Sequence, residues 1–171
     1  MLIKKPEENT YDSYYKQYVD LVPTTYLEAE LQTNFHEMSL FLLNMEDSKW
    51  NYQYAEGKWT VSQVLMHIID VEHMFCNRIM NMVRGLKTDL ESFDDNLMAE
   101  NAVTEKITPK RFIDLYNATR NYTFALARTL TKEDWDKSAH VEGKPFTVRS
   151  LYYCIIGHER HHMSVVKSKY M

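Results

Sequence analysis

Glycine, proline and cysteine are all scarce in this chain of 171 residues. It has four glycines and four prolines, and most of them lie between stretches in which apolar residues recur at helical spacing. This distribution predicts a few long helices rather than a sheet. The two cysteines, Cys76 and Cys154, fall within apolar helical patterns. Two cysteines in a chain of this length do not make a disulfide framework, so we expect a reducing compartment.

An excess of positive charge and a long apolar run are also missing. Lysine and arginine number 20 against 24 acidic residues, which gives a net charge of -4. Without a basic stripe along any predicted helix, nucleic acid is not an expected partner. No run approaches the ~18 apolar residues of a membrane span, and residues 1–8 become polar before a signal peptide could form. We therefore expect a cytoplasmic protein without a membrane partner.

Four segments instead carry the 3.6-residue periodicity of long amphipathic helices. The second has the clearest start, because Thr60 and Gln63 form a capping-box pattern, and Gly85 is its expected end. The third is predicted to start at Thr108 and Pro109, as a cap and a first-turn proline. The predicted bounds are about 24–45, 60–85, 108–130 and 148–167.

These helices predict an all-α fold, a four-helix bundle formed by a single domain over residues 1–171. Residues 1–22 are expected to form an N-terminal arm or a short helix. The polar, acidic residues 87–107 are expected to form a long crossover connection. The stripe of the second helix extends to Leu86, and the third helix is predicted to point six residues inward: Phe112, Leu115, Tyr116, Tyr122, Leu126 and Leu130.

The seven histidines separate by helix face. His158 and His162 are spaced i, i+4, which places both on the apolar line of the last helix. His67 lies beside the apolar line of the second helix. The other four are predicted to lie elsewhere, at the edge of the seam (His161), on outward faces (His36, His73) or in a loop (His140). The sorting leaves His67, His158 and His162 as an interior triad.

Two interpretations of this triad remain open. A single histidine on an apolar face is more often a core residue bonded to a backbone or side-chain group than a metal ligand. Three together favour the metal, because each unpartnered imidazole costs about 1–3 kcal/mol when buried. Three imidazoles also leave a coordination position free, as catalytic zinc sites do. Zinc and nickel are the first candidates for one divalent ion, and iron or manganese also suits the donors.

Other residues give weaker signals. Asp70 and Glu159 are candidate catalytic acids that could orient an imidazole ring, although solvated helix charges are the commoner interpretation of both. Arg160 is predicted to point outward, and Arg78 to meet an anionic group or to extend to the end of the bundle. Cys76 has only Arg78 close in sequence, and Cys154 has no helix N-terminus to lower the pKa of its thiol, so both are expected to be buried apolar residues.

Three segments together resemble the DinB-like superfamily, close to its YfiT-like branch. They are the aromatic segment Trp50–Val61 (WNYQYAEGKWTV), the run His67-x-x-Asp70-x-Glu72, and Gly157–His162 (GHERHH). The resemblance spans about residues 24–168. It implies an up-up-down-down four-helix bundle with a divalent metal on three histidines, which correspond here to His67, His158 and His162.

The resemblance also implies a range of functions. Members include thiol-dependent enzymes, such as a mycothiol-dependent isomerase and bacillithiol S-transferases, and proteins described as metal-dependent hydrolases. We expect a small-molecule substrate, with a low-molecular-weight thiol activated on the metal as the first hypothesis. The alternatives are a hydrolase that activates water and a non-catalytic, metal-binding or stress-associated helical dimer. A homodimer is expected, as in many members.

Overall fold

The computed structural model describes residues 2–86, 89–102 and 104–171. Residues 87, 88 and 103, which belong to the predicted crossover, lie outside the described residues. In chain order, the helices and strands are α1 (Lys16–Val19), α2 (Leu27–Asn44), α3 (Val61–Arg84), β1 (Asp89–Leu90), α4 (Asp95–Asn101), α5 (Pro109–Arg128), β2 (Ser138–Val141), β3 (Lys144–Thr147) and α6 (Val148–Lys169).

Three of the four long helices, α3, α5 and α6, begin where a threonine side chain accepts a hydrogen bond from one of the first free N–H groups. The Thr60 hydroxyl accepts from the Gln63 amide, and the Gln63 side chain accepts from the Thr60 amide, which completes the predicted capping box of α3. Thr147 and Ser150 form a second capping box at α6. Gly85 ends α3 in the left-handed conformation, with φ 67°. Both helices that carry the histidine triad therefore have fixed starts.

Helices α2, α3, α5 and α6 form the predicted bundle, and each end of the bundle has its own hydrophobic core. At one end the C-terminal half of α2 shares a core with the start of α3 and the end of α6, through Met38, Leu65 and Val166. At the other end the start of α2 meets the C-terminal half of α3 and the start of α6, through Leu31, Phe75 and Leu151. The four-helix bundle is thus confirmed.

The helix directions follow from these contacts. Phe112 of α5 lies with the start of α3, and Leu126 lies with its C-terminal half, so α3 and α5 are parallel. The order is up-down-down-up, in place of the up-up-down-down order that the resemblance implied. Only the α3–α5 connection crosses the length of the bundle. The other two connections each join helix ends that lie at the same end of the bundle.

The crossover and the α5–α6 connection also form a small sheet, which the sequence did not predict. Strand β1 pairs in parallel with β2, and β2 pairs with β3 as an antiparallel hairpin. Glu142 and Gly143 turn the hairpin with positive φ values of 51° and 76°, as a two-residue hairpin turn requires. The expectation of no sheet was wrong, because strands of two to four residues give too little alternation to detect.

Three predicted inward residues are also exposed. Leu86, Leu115 and Tyr122 retain 65%, 36% and 47% of their accessible surface. Leu86 follows the Gly85 cap and has left the helix. On α5, the positions that face inward are instead partly polar, with Thr119, Arg120 and Thr123 buried.

The N-terminal segment is a packed arm with one short helix. Short 3₁₀ turns at Glu8–Thr10 and Ser13–Tyr15 lead into α1, and Tyr18 and Val19 of α1 are buried. Tyr153 of α6 donates a hydrogen bond to the Ile3 carbonyl at 2.9 Å, which holds the arm on the bundle. None of the helices in the described ranges is long and apolar enough to cross a bilayer.

Candidate metal centre

The structure brings His67, His158 and His162 together between α3 and α6. One potential ligand atom from each ring lies within 4.8 Å of the other two. The Nε2 atoms of His67 and His158 are 3.0 Å apart, and the ring centroids are separated by 4.4 to 4.9 Å. Because α3 and α6 are antiparallel, one residue of α3 reaches both histidines of the i, i+4 pair.

Burial keeps all three imidazoles neutral at physiological pH. It lowers the pKa of His67 to about 4, and burial and the neighbouring histidines lower that of His162 to about 3. The pKa of His158 is also depressed by burial and by the other histidines. A neutral imidazole offers a lone pair to a metal, whereas a protonated one does not.

The spacing of the His67 and His158 ring nitrogens suits a divalent ion, and a His162 nitrogen lies within 4.8 Å of both. Zinc–nitrogen bonds of about 2.0–2.1 Å in tetrahedral geometry place ligand nitrogens roughly 3.3 Å apart. The 3.0 Å separation of the His67 and His158 Nε2 atoms is close to this value. Two neutral rings at that distance form one hydrogen bond, in which the nitrogen of one ring donates to the nitrogen of the other. Among the described residues, the His162 ring has no such hydrogen bond within the cluster. The residues present therefore suit the metal that the sequence predicted.

Aromatic side chains flank the triad on both sides. The Trp59 ring lies 4.9 Å from the His67 ring, and the Tyr18 ring lies 5.3 Å from the His158 ring. His67 and His158 are only 4% and 5% exposed, whereas His161 and His162 are half-buried. Access to the centre is thus from the side of His161 and His162.

Gly157 allows the arm to cover this centre. A Cβ atom at Gly157 would lie 2.9 Å from the Tyr18 Cα and would overlap the Tyr18 carbonyl group. Only a residue without a side chain lets the backbone of α1 approach α6 so closely. This close approach places the Tyr18 ring against the rings of His158 and His161.

The remaining histidines lie apart from the cluster. His36 and His73 are exposed as predicted, and His73 Nε2 lies 2.9 Å from the Thr119 hydroxyl. His140 is exposed on β2 rather than in a loop. His161 stacks edge-on with His162 at 5.0 Å, which makes it the one further imidazole beside the triad among the described residues.

The two candidate acids have different surroundings. Glu159 is 2% exposed, so its interpretation as a solvated charge was wrong. Its carboxylate accepts a hydrogen bond from Tyr116 at 2.9 Å and another from Arg120. Asp70 is half-buried, and burial raises the pKa of its carboxyl against the influence of His73. No hydrogen bond of the described residues joins either carboxylate to a ring of the triad.

A buried ion cluster next to the triad is the main feature that the sequence analysis missed. Arg120, fully buried on α5, pairs with both Glu72 of α3 and Glu159 of α6. Thr123 donates to the other Glu72 oxygen at 2.5 Å. Burial opposes the charge of Arg120, but the two carboxylates outweigh it and raise the pKa of the guanidinium. The one sequence signal that could have predicted this cluster is that Arg120 occupies an inward position of α5.

Two further arginines and both cysteines also have defined places. Arg160, predicted to point outward, instead pairs with Glu30 of α2 at 2.6 Å and donates to Asn34 at 2.8 Å.

Burial raises the pKa of the Cys76 thiol to about 12 and also raises that of Cys154. The cysteines are therefore inert, buried residues, as expected. Arg78 lies away from the triad, beside the crossover, where it donates to the Glu91 carbonyl.

With this geometry in place, the comparisons with known proteins identify the family. The model of the DinB superfamily matches residues 30–166. The chain belongs to the DinB superfamily. The match covers α3 and α5, all but the first three residues of α2, all but the last three residues of α6, and the three histidines of the triad. No curated protein matches the chain in sequence.

Solved structures share the fold at low sequence identity. YfiT from Bacillus subtilis, described as a probable metal-dependent hydrolase with an unusual four-helix bundle topology, is 19% identical, with a TM-score of 0.73 over 96% of this chain and 90% of its own. A mycothiol-dependent maleylpyruvate isomerase is 17% identical, with a TM-score of 0.64. This chain covers 86% of its own length in that match but only 62% of the isomerase.

A DinB-like protein, YjoA of Bacillus subtilis, is 18% identical to the chain. Its TM-score is 0.60, over 82% of this chain and 87% of its own.

Proposed function

We propose that this DinB-superfamily protein is a metal-dependent enzyme that binds one divalent ion through His67, His158 and His162 and activates a small thiol. The observation that carries the proposal is the convergence of three neutral imidazoles on one point, with half-buried residues on a single side. Three protein ligands leave a position for an exogenous group, which is the donor pattern of catalytic rather than structural zinc sites. Zinc or nickel is the proposed ion, and iron or manganese would also accept these donors.

A bound ion would lower the pKa of a coordinated thiol, so that it is held as thiolate at neutral pH. The protein residues supply the surroundings. His67 and His158 are buried and exclude water from the inner side, while Trp59 and Tyr18 limit the space on either flank. Glu159 does not assist as a base, because it is bound to Arg120 and Tyr116, and Asp70 makes no hydrogen bond to a triad ring among the described residues. Thiol transfer needs no dedicated base in the protein, and this favours it over hydrolysis.

Hydrolysis is the second candidate, since the structurally similar YfiT is described as a probable metal-dependent hydrolase. In that reaction a water molecule replaces the thiol, and a proton acceptor is needed nearby. His161 is the described residue best placed for this role, because it is half-buried on the open side and contacts His162. A non-catalytic metal-binding or stress-associated helical dimer would keep the triad without turnover.

The test couples glutathione, cysteine or another low-molecular-weight thiol to monochlorobimane, with and without a chelator. We expect a metal-dependent rate that the chelator and His158→Ala reduce to the uncatalysed background. His36→Ala is the matched control, because His36 is exposed on α2, and it should retain the full rate. A rate that is insensitive to the chelator contradicts the proposal. Chelator-sensitive hydrolysis of an ester without added thiol, lost in His161→Gln, would instead support the hydrolase.

A homodimer and a cytoplasmic location are part of the same proposal. Leu40 and Leu43 lie three residues apart on α2 and are 45% and 78% exposed, and the proposed dimer would bury them. The proposed substrate is a small molecule, with neither nucleic acid nor a membrane as partner.

A further inference from the structure

Arg78 is a buried guanidinium that has no ionic partner within the part of the chain that the structure describes. It is 4% exposed, and its Nη2 donates to the Glu91 carbonyl at 2.9 Å. Its Nη1 has no hydrogen-bond partner among the described residues, and no described carboxylate lies within 4.0 Å of the side chain. Burying a charge in this way is costly unless another group compensates for it. Nη1 of Arg78 is thus one of the four buried donors without a partner among the described residues, and Arg78, unlike Arg120, has no carboxylate within ion-pair distance there.

This arginine lines a cavity that is separate from the histidine triad. Arg78 follows His67 by eleven positions on α3, which corresponds to about 16 Å along the helix axis. The cavity has a volume of about 240 Å³ and lies between the N-terminal arm, α3, the crossover and the β2–β3 hairpin. A ligand for it must be smaller than most drug-sized molecules, whose pockets are roughly 300–1,000 Å³.

Aromatic rings form the apolar part of the cavity. The Arg78 guanidinium carbon lies 4.8 Å from the centroid of the Phe93 ring, a cation–π distance that fixes the guanidinium plane. Tyr15 and Phe146 also line the cavity, with their rings 5.1 Å apart. A ligand that reached Arg78 would therefore contact at least one aromatic face.

The acidic residues of the cavity determine which charge a ligand must carry. Asp12 is already paired with Lys144 at 2.7 Å. This leaves Asp95 and Glu142, both lining the same cavity, as carboxylates without a cation within ion-pair distance among the described residues. A simple anion would gain from Arg78 but would be repelled by these two groups. A molecule with both a carboxylate and an ammonium group would complement all three charges.

We propose that this cavity binds a free α-amino acid with an apolar side chain. Its carboxylate pairs with the Arg78 guanidinium, which suits carboxylates through its planar pair of donors. Its ammonium group faces Asp95 and Glu142, and its side chain packs on the aromatic rings. This binding site is independent of the metal centre and of the reaction proposed there.

The test is a calorimetric or NMR titration of the full-length protein with three probes of matched size. L-phenylalanine carries both charges, 3-phenylpropionate carries only the carboxylate, and 2-phenylethylamine carries only the amine. We expect L-phenylalanine to bind at least tenfold more tightly than either single-charge probe. Equal binding of 3-phenylpropionate would overturn the proposal, and so would the absence of binding by L-phenylalanine at 10 mM.

Variants locate the binding. Arg78→Lys should weaken L-phenylalanine binding at least tenfold, because a point charge replaces the paired donors. Asp95→Asn tests the ammonium contact at an exposed position where folding is not at risk, and it should weaken binding about five- to tenfold. Glu100→Gln is the control on the same helix, outside the cavity, and should bind as the wild type does. Undiminished binding by a folded Asp95→Asn variant would overturn the assignment.

Discussion

At the scale of single residues, the most demanding interaction is the one between Arg120 and its two carboxylates. A fully buried guanidinium is tolerable only if nearby negative charge compensates for its lost hydration. Glu72 and Glu159 provide this charge from two different helices, α3 and α6. These three residues therefore link three helices of the bundle, and Glu159 places the cluster beside His158 on α6.

We expect Arg120→Leu to destabilise the protein by about 3–5 kcal/mol, because it leaves two buried carboxylates without a cation. The control lies on the same helix, where Arg128 pairs with Glu28 and the two side chains are 65% and 42% exposed. Arg128→Leu should cost less than about 1 kcal/mol. The measurement is urea unfolding of both variants. Equal losses would show that the buried pair contributes no more than a surface one.

The residues of the triad were predictable, but those of the ion cluster were not. Helical periodicity assigned His158 and His162 to the core face of the last helix and His67 to a face that meets a neighbour. It did not show which groups meet across helices. The apolar pattern made no prediction for Arg120 and Glu72, because charged residues are rarely buried unless they are paired, as these two are. Their pairing depends on the parallel packing of α3 and α5.

At the scale of helices and strands, capping chemistry sets several helix boundaries, whereas α2 starts after Tyr26 without a side-chain cap. The start of α3 and the start of α5 agree with the predicted caps, since Thr60 and Thr108 both accept from the backbone three residues later. The short strands and α1 were harder to predict, because their residues are stabilised by contacts with the bundle rather than by local propensity. Helix α1 is an example, because its position depends on the close approach of the Tyr18 backbone to Gly157 of α6.

We expect Gly157→Ala to destabilise the protein by about 1–3 kcal/mol, although alanine favours helices over glycine. The new Cβ would overlap the Tyr18 carbonyl, so α1 must move away from α6. Chemical denaturation measures the loss, and hydrogen exchange in residues 16–19 reports the displaced helix. Ser164→Ala, at an exposed position of α6, should change stability by less than about 0.5 kcal/mol. A Gly157→Ala variant as stable as the wild type would contradict the close packing.

At the scale of the whole molecule, the topology explains why the three histidines meet between α3 and α6. The crossover makes α3 and α5 parallel, and α6 runs antiparallel to both of them. One histidine of α3 then lies opposite two histidines one turn apart on α6. The sequence predicted the four long helices and the long crossover, but not the short helix α4 within that crossover. It did not predict their directions, which depend on which ends the connections join.

The central claim is that the triad binds a metal, and metal analysis of the purified protein tests it most directly. We predict about one divalent ion per chain, lost in His158→Ala and His162→Ala and retained in His36→Ala, with all three variants folded by circular dichroism. A folded wild-type protein that contains no metal and takes up neither Zn²⁺ nor Ni²⁺, or a His158→Ala variant that keeps a full equivalent, would contradict the account.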